Sequence, residues 1–293
     1  MRNAFIQELV TLARQNPNIA LIVGDLGYSV VEPFAEEFPD RFINAGVAEQ
    51  NMTGLAAGMA SEGFHVFTYS IANFPTFRCA EQIRNDVAYH NLPVTVVSVG
   101  GGLAYGSLGY SHHAVQDYAL MRTLPNLLIA APGDPMEVRA CMRYLIENPG
   151  PSYLRLGKAG EPNFHEMIPD VAPGRWLLIR AGDSNRALLS TGAALQIAID
   201  RHEKSGYAHH NVYSMPLWSM AEKSKQANAL KKFSEVITLE DHLQDGGFGS
   251  WLLEARSTDS TVTCSLQTIA LNAEVCGNVG SQATLNRLGG LCI

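Results

Sequence analysis

Three stretches of the chain carry side chains able to do chemistry. The first is Asn44-Ala45-Gly46-Val47-Ala48-Glu49-Gln50-Asn51-Met52, where a glycine turn leaves a strand-like run and brings a carboxylate to the start of a helix. An acid in a first helical turn is stabilised by the helix dipole whether or not it has another role. The small residues after it (Gly54, Ala56, Ala57, Gly58 and Ala60) allow a neighbouring backbone to come close, and they equally suit tight core packing. The second stretch is the glycine-rich run from Gly100 through Gly109-Tyr110-Ser111-His112-His113. A loop at the carboxyl end of a strand is where open α/β sheets place ligands. Its paired imidazoles can donate, accept or shuttle protons near neutral pH. The loop does not read G-x-G-x-x-G into a helix, so a dinucleotide fingerprint is not supported. No third ligand stands at a telling spacing for a metal. The third stretch holds Phe74 and Phe77, three apart, beside Arg78. Aromatics so spaced belong more often to a core than to a cofactor platform.

Positioning these groups requires a scaffold, and the hydrophobic pattern supplies one. Helical periodicity over Asn3–Gln15 is stopped by Asn16-Pro17, and the short apolar run Ile19–Val23 ends at Gly24-Asp25. Strand-like runs follow at 41–44, 65–70, 93–99, 127–130 and 152–156, with helical segments at 49–61, 77–89, 117–122 and 135–147 between them. Short apolar strands alternating with helices predict a parallel sheet covered on both faces. From Lys158 to Arg175 the composition turns to Pro, Gly and acid, as in a linker. Strands then recur at 177–179, 187–190, 212–214 and 236–239, with helices at 193–202 and 221–233 and another starting at Phe248. The expected fold class is α/β, in two domains, each a mostly parallel sheet flanked by helices.

The totals agree with an ordinary globular chain. It has 293 residues, 46% hydrophobic and 17% charged, with a net charge of −7 and no basic block. That balance argues against nucleic-acid or anionic-membrane partners and suits the handling of small molecules. The five scattered cysteines include no C-x-x-C pair, and no run of about 20 apolar residues is present. Reduced thiols and a cytoplasmic location are the expectation.

Taken in order, these segments resemble the transketolase family over nearly the whole chain. The resemblance rests on Gly24-Asp25-Leu26, on Phe42-Ile43-Asn44 running into the glutamate motif, and on Gly109-Tyr110-Ser111-His112-His113. Pro125-Asn126, Ala131-Pro132-Gly133-Asp134 with Glu137, and Leu239-Glu240-Asp241-His242 before Gly246-Gly247-Phe248-Gly249 add to it. It implies a pyrimidine-binding transketolase domain over 1–160, a linker over 161–175 and the family's C-terminal domain over 176–293. In such proteins the glutamate matching Glu49 bonds the aminopyrimidine of thiamine diphosphate and favours the tautomer that removes the thiazolium proton. That task needs a carboxyl able to share a proton in a dry site. Phe74 and Phe77 match aromatics around the pyrimidine, and Asp25 and Leu26 match a pair close to the cofactor. His112, with His113 beside it, matches the histidine that contacts the donor ketose. Arg2, Ser29 and Arg155 match positions gripping the substrate phosphate, a task that suits arginine's forked donors.

Two departures qualify that reading. An aspartate that reads a sugar hydroxyl is replaced by Leu108, and a phosphate-binding histidine aligns with Gly100. The resemblance then implies a specialised transketolase acting on a modified or branched sugar, with less reliance on phosphate in the acceptor. The family's diphosphate half, with its G-D-G segment and a later asparagine, has no counterpart here: Gly24-Asp25 runs into Leu26, and Gly182-Asp183 into Ser184. Mg²⁺ and the diphosphate would be held by a separate N-terminal transketolase subunit, with none of the metal ligands in this chain. The expected assembly is a heterotetramer of two chains of each kind. The rival readings are the β subunit of a 2-oxoacid dehydrogenase, which shares the layout and the glutamate, and a non-catalytic scaffold paralogue.

Overall fold

The structure is a computed structural model that describes residues 1–204 and 206–292. Among the described residues two sheets are present. The first contains β1 (Ile19–Val23), β2 (Phe42–Asn44), β3 (His65–Ile71), β4 (Val94–Val99), β5 (Leu128–Ala130) and β6 (Ser152–Leu156), all parallel where they pair. The second contains β7 (Leu177–Arg180), β8 (Arg186–Ser190), β9 (Asn211–Ser214), β11 (Glu235–Leu243) and β12 (Ser265–Leu271), parallel except for β7 against β9. The α/β class read from the pattern is what the structure shows. β10 (Leu217–Trp218) returns to the first sheet and pairs antiparallel with β5. A two-residue strand shows no periodicity, which is why the sequence did not reveal it.

The strand order of the first sheet is β10-β5-β6-β4-β3-β1-β2. The chain runs outward from β1 to β2 and then crosses back to β3 on the other side. This makes a switch point between β1 and β3, where open sheets form a crevice at the carboxyl ends of their strands. Gly24-Asp25 leave β1 there, and Asn73-Phe74 leave β3.

The segment after β3 differs from the single helix expected over 77–89. Helical turn begins at Phe74, because Pro75 stands where a first-turn proline is favoured. The turn breaks at Cys79 (φ −109°, ψ 10°), resumes over Ala80–Gln82, and widens to a π-helix over Ile83–Ala88. The break turns Phe74, Phe77 and Arg78 toward the crevice while Cys79, Ile83 and Val87 enter the core. The helix expected over 221–233 is confined to Gln226–Leu230, and helices Glu32–Glu37 and Gln282–Leu288 were not foreseen.

One apolar cluster joins the two sheets: Tyr118 from the first half packs with Trp218, Phe248 and Trp251 from the second. Both indoles are satisfied, Trp218 donating to Thr191 Oγ1 at 3.1 Å and Trp251 to the Ser219 carbonyl at 3.0 Å. Burial of each such ring contributes roughly 1.5–3 kcal/mol. The five cysteines are free, and among the described residues no helix is long and apolar enough to cross a membrane.

Residues 157–176 contain no helix or strand, yet they are held at several points, one of them Asp134. Asp134 caps the helix Pro135–Glu147 through the Glu137 amide at 2.7 Å, and its other oxygen accepts from the Phe164 and His165 amides at 2.7 and 3.0 Å. Glu137 in turn accepts from the Gly133 amide at 2.6 Å and from Ser214 Oγ at 3.0 Å. Burial pushes the Glu137 carboxyl up to about 7, against the opposing hydrogen bond from Gly133. For His165, burial pulls the imidazole down, but its hydrogen bond to Asp134 and the nearby carboxylates leave it above its ordinary value. Both groups hold protons more tightly folded than unfolded: the Glu137 contribution is complete below about pH 4.5 and is lost as the pH rises through about 7, and that of His165 is complete below about pH 6.5 and is lost above it. Resistance to urea is expected to fall across that window by up to about 1.4 kcal/mol per pH unit. Glu137→Gln keeps an acceptor for Gly133 and Ser214 and should flatten the decline; an unchanged slope in that variant would remove Glu137 from the account.

Candidate functional site

The crevice is assembled around Asn44, the last residue of β2. Its side-chain oxygen accepts from the amides of Asp25 (3.1 Å) and Gly46 (3.0 Å), and its amide nitrogen donates to Asp25 Oδ1 at 3.0 Å. This ties the loop after β1 to the turn after β2. Gly46 lies in the left-handed region (φ +72°), so the turn needs a residue without a side chain. The chain then enters the helix Glu49–Ser61, whose inner face is Glu49, Met52, Thr53, Ala56, Ala57 and Ala60.

Glu49 is 3% exposed. One carboxylate oxygen accepts from Arg78 Nη1 at 3.1 Å, and the other, Oε1, is buried with no partner. Gly24, which leaves β1, packs against the acid's stem: a Cβ there would make ordinary contact with the Glu49 Cγ at 3.6 Å. Arg78 is the centre of the arrangement. Its guanidinium lies 4.2 Å above the Phe74 ring, a favourable cation–π position, and the His112 ring meets Phe74 edge-on at 5.2 Å. Arg78 borders two adjoining clefts. One, of about 420 Å³, is lined by Val47, Ala48 and Glu49 and their helix neighbours; the other, of about 300 Å³, by Asn73, Phe74, Phe77, Tyr110 and Ser111. Phe77 is 49% exposed into the second. An exposed aromatic beside a buried, half-paired carboxyl is not core packing, which was the commoner expectation for this spacing.

His112 is half-buried with Nδ1 3.0 Å from Ser111 Oγ. Burial, then the neighbouring His113 and Arg78, lower its proton affinity below the ordinary imidazole value, so it is neutral and available near pH 7. Asn73 holds the loop in place by donating to the carbonyls of His113 (2.6 Å) and Ser111 (3.3 Å).

The structure therefore brings Glu49, Phe74, Phe77 and His112 together, and joins Asp25 to them through Asn44. Leu26 is half-buried against the core beneath that loop. Ser29 is exposed at φ +63° with its amide bonded to Glu32, and Arg2 opens the first helix half-buried. Among the described residues neither makes a hydrogen bond to a residue lining the two clefts. Two expectations need correcting. His113 is wholly buried, its Nε2 3.3 Å from the Gly106 carbonyl, so it shapes the loop and does not face a ligand. Arg155 is buried too, and its donors are all taken by Asp117, Asp241, the Tyr118 hydroxyl and the Ala114 carbonyl. A guanidinium so saturated has no donor left for a phosphate; it joins the two sheets. Sequence reasoning noted Arg78 only as a neighbour, although a cation inside an aromatic segment was the available signal.

Gly100 also has a structural reason. Its φ is +82°, and a Cβ there would run into the Tyr105 ring. A histidine at this position would be strained and would collide with that ring. Leu108 is exposed, so its position is open to a ligand but offers no polar atom.

Comparison with known proteins places the chain. The transketolase pyrimidine-binding domain model matches residues 1–160. A protein of Actinobacillus succinogenes named as one of the subunits of apulose-4-phosphate transketolase is 31% identical over 257 residues, covering 87% of this chain and 82% of that one. A protein of Methanocaldococcus jannaschii named as a transketolase C-terminal section is 33% identical over 298 residues, covering 99% and 92%. Among solved structures, a split-gene transketolase described as an inactive beta4 tetramer superposes with a TM-score of 0.84 at 30% identity, over 99% of this chain and 93% of that one. This chain belongs to the transketolase family and carries its pyrimidine-binding domain.

Proposed function

We propose that this chain is the C-terminal subunit of a thiamine-diphosphate-dependent transketolase, moving a two-carbon ketol unit from a ketose phosphate to an aldehyde or ketone sugar. The observation that carries the reading is the Glu49 carboxyl, buried beside exposed aromatics with Oε1 unpartnered. A flat aminopyrimidine fits those residues: a ring nitrogen would answer Oε1, and Phe74 and Phe77 would hold the ring by its apolar faces. When bound, thiamine diphosphate supplies the carbon nucleophile for ketol transfer. Glu49 holds and polarises the heterocycle. Arg78 orients Glu49 by pairing with its other oxygen. His112, kept neutral and oriented by Ser111, takes or returns a proton at a substrate hydroxyl. Leu108 and the Tyr105 ring favour an acceptor with less polar demand than a pentose phosphate, such as a branched or modified sugar.

The diphosphate and its Mg²⁺ belong on a partner chain. The outer face of the helix Glu49–Ser61 suits such a partner: Leu55 is 38% exposed, and a Cβ on Gly54 or Gly58 would touch nothing within 4 Å. A flat face of small residues lets a second backbone pack closely, and the assembly proposed is two of each chain. Calorimetric titration of thiamine diphosphate with Mg²⁺ tests this. Binding is expected in the complex with the diphosphate-binding chain, and to be at least about 100-fold weaker with this chain alone. Equal, tight binding by the isolated chain would end the split-enzyme reading, and no binding by either would end the cofactor reading.

A further inference from the structure

A further cleft, partly open to solvent, lies where the connecting segment crosses between the sheets, apart from the residues of the Glu49 clefts. It measures about 350 Å³ and is bounded by Gly101, Lys158, Phe164, Gln196, Asp241 and Asn286. Asp241 is 2% exposed; one carboxylate oxygen bonds Arg155, and the other, Oδ2, has no partner. Asn286, from a different element, likewise leaves its Oδ1 buried and unpartnered. Two orphaned acceptors at one cavity call for a ligand rich in donors.

The charge is unbalanced in the same sense. Asp117 and Asp241 share the single guanidinium of Arg155. Burial pushes Glu240 up to about 8 and His242 down to about 4, so neither adds charge near pH 7. Burial raises the Asp241 carboxyl as well, with Arg155 opposing, so the acid at Oδ2 stands short of positive charge. Lys158 is exposed on the connecting segment with its ammonium 5.2 Å from the Tyr105 ring, and Glu161 nearby is paired with the Met1 amino group. A neutral polyol would satisfy the acceptors but leave the charge, and a simple amine would leave Lys158 without an anion. Among the described residues no group of three side chains could hold a metal ion.

We propose that this cavity binds a compact zwitterion of amino-acid size, its ammonium toward Asp241 and Asn286 and its carboxylate toward Lys158. The site is independent of the catalytic reading, so a Glu49→Gln protein should bind the same ligand equally well. The test is calorimetry on the full chain with glycine, L-serine, L-glutamine and L-glutamate, each beside its N-acetyl and amide derivatives. At least one free amino acid is expected to bind, with both blocked forms weaker by about tenfold or more. Lys158→Ala and Asn286→Leu should each weaken binding by about tenfold with the circular dichroism spectrum unchanged. Asp241→Asn gives a further check where it folds. Failure of every free amino acid to bind at millimolar concentration overturns the proposal. So does equal binding of the blocked forms, or binding that neither variant weakens.

Discussion

Replacing Glu49 with glutamine should reduce turnover by the assembled enzyme about 10³-fold or more while leaving subunit assembly intact. The substitution preserves size and keeps an oxygen that can accept from Arg78, so the helix Glu49–Ser61 has no reason to move. What is lost is a carboxyl able to take or share a proton at Oε1, the atom that the fold buries without a partner. An amide in that place either presents a donor where an acceptor is needed or accepts without charge. Single-turnover kinetics, with sedimentation to verify assembly, would read the effect. Activity within a few-fold of the parent would sink the catalytic role of Glu49 and revive the scaffold reading.

The second large effect lies away from the clefts. Arg155→Met should destabilise the chain by about 3–5 kcal/mol, because it leaves Asp117 and Asp241 buried without a counter-charge. The same guanidinium stacks 4.4 Å above Tyr118, so some packing goes with the charge. Urea denaturation measures the loss. Replacing Arg155, Asp117 and Asp241 together with apolar residues should recover much of it, since the cost is that of orphaned carboxylates. If Arg155 gripped a substrate phosphate, the variant would instead raise KM for phosphorylated donors with stability intact. That result would return Arg155 to the substrate site.

Arg155 also marks where sequence reading stops. A residue type and a family position do not say where five donors point. Asp117 lies 38 residues before it and Asp241 86 residues after, and only the folded chain brings all three together. The same holds for His113: adjacent imidazoles look alike in a sequence, yet the turn over Tyr110–His112 leaves one half-buried against Phe74 and sends the other inward. The missed β10 and the broken helix after β3 are failures of another kind. Two residues are too few for periodicity, and a proline within an aromatic run redirected the turn.

The sequence alone determined the alternation of apolar strands with helices, the glutamate at a helix start after a glycine turn, and the runs Gly24-Asp25-Leu26 and Gly182-Asp183-Ser184 that depart from G-D-G. Each of these is local: it depends on residue type and spacing within about a dozen positions, over which hydrophobic period and turn chemistry act. Only the tertiary structure decided that Glu49 pairs with Arg78 and keeps one oxygen free, that Tyr105 fills the space over Gly100, and that Arg155 is a joint between sheets. The first depends on the strand ends that the crossover from β2 to β3 brings side by side, and the last on how the second sheet meets β6. Hydrogen-bond satisfaction and charge pairing act over a few ångströms in space, between residues that lie tens of positions apart in the chain.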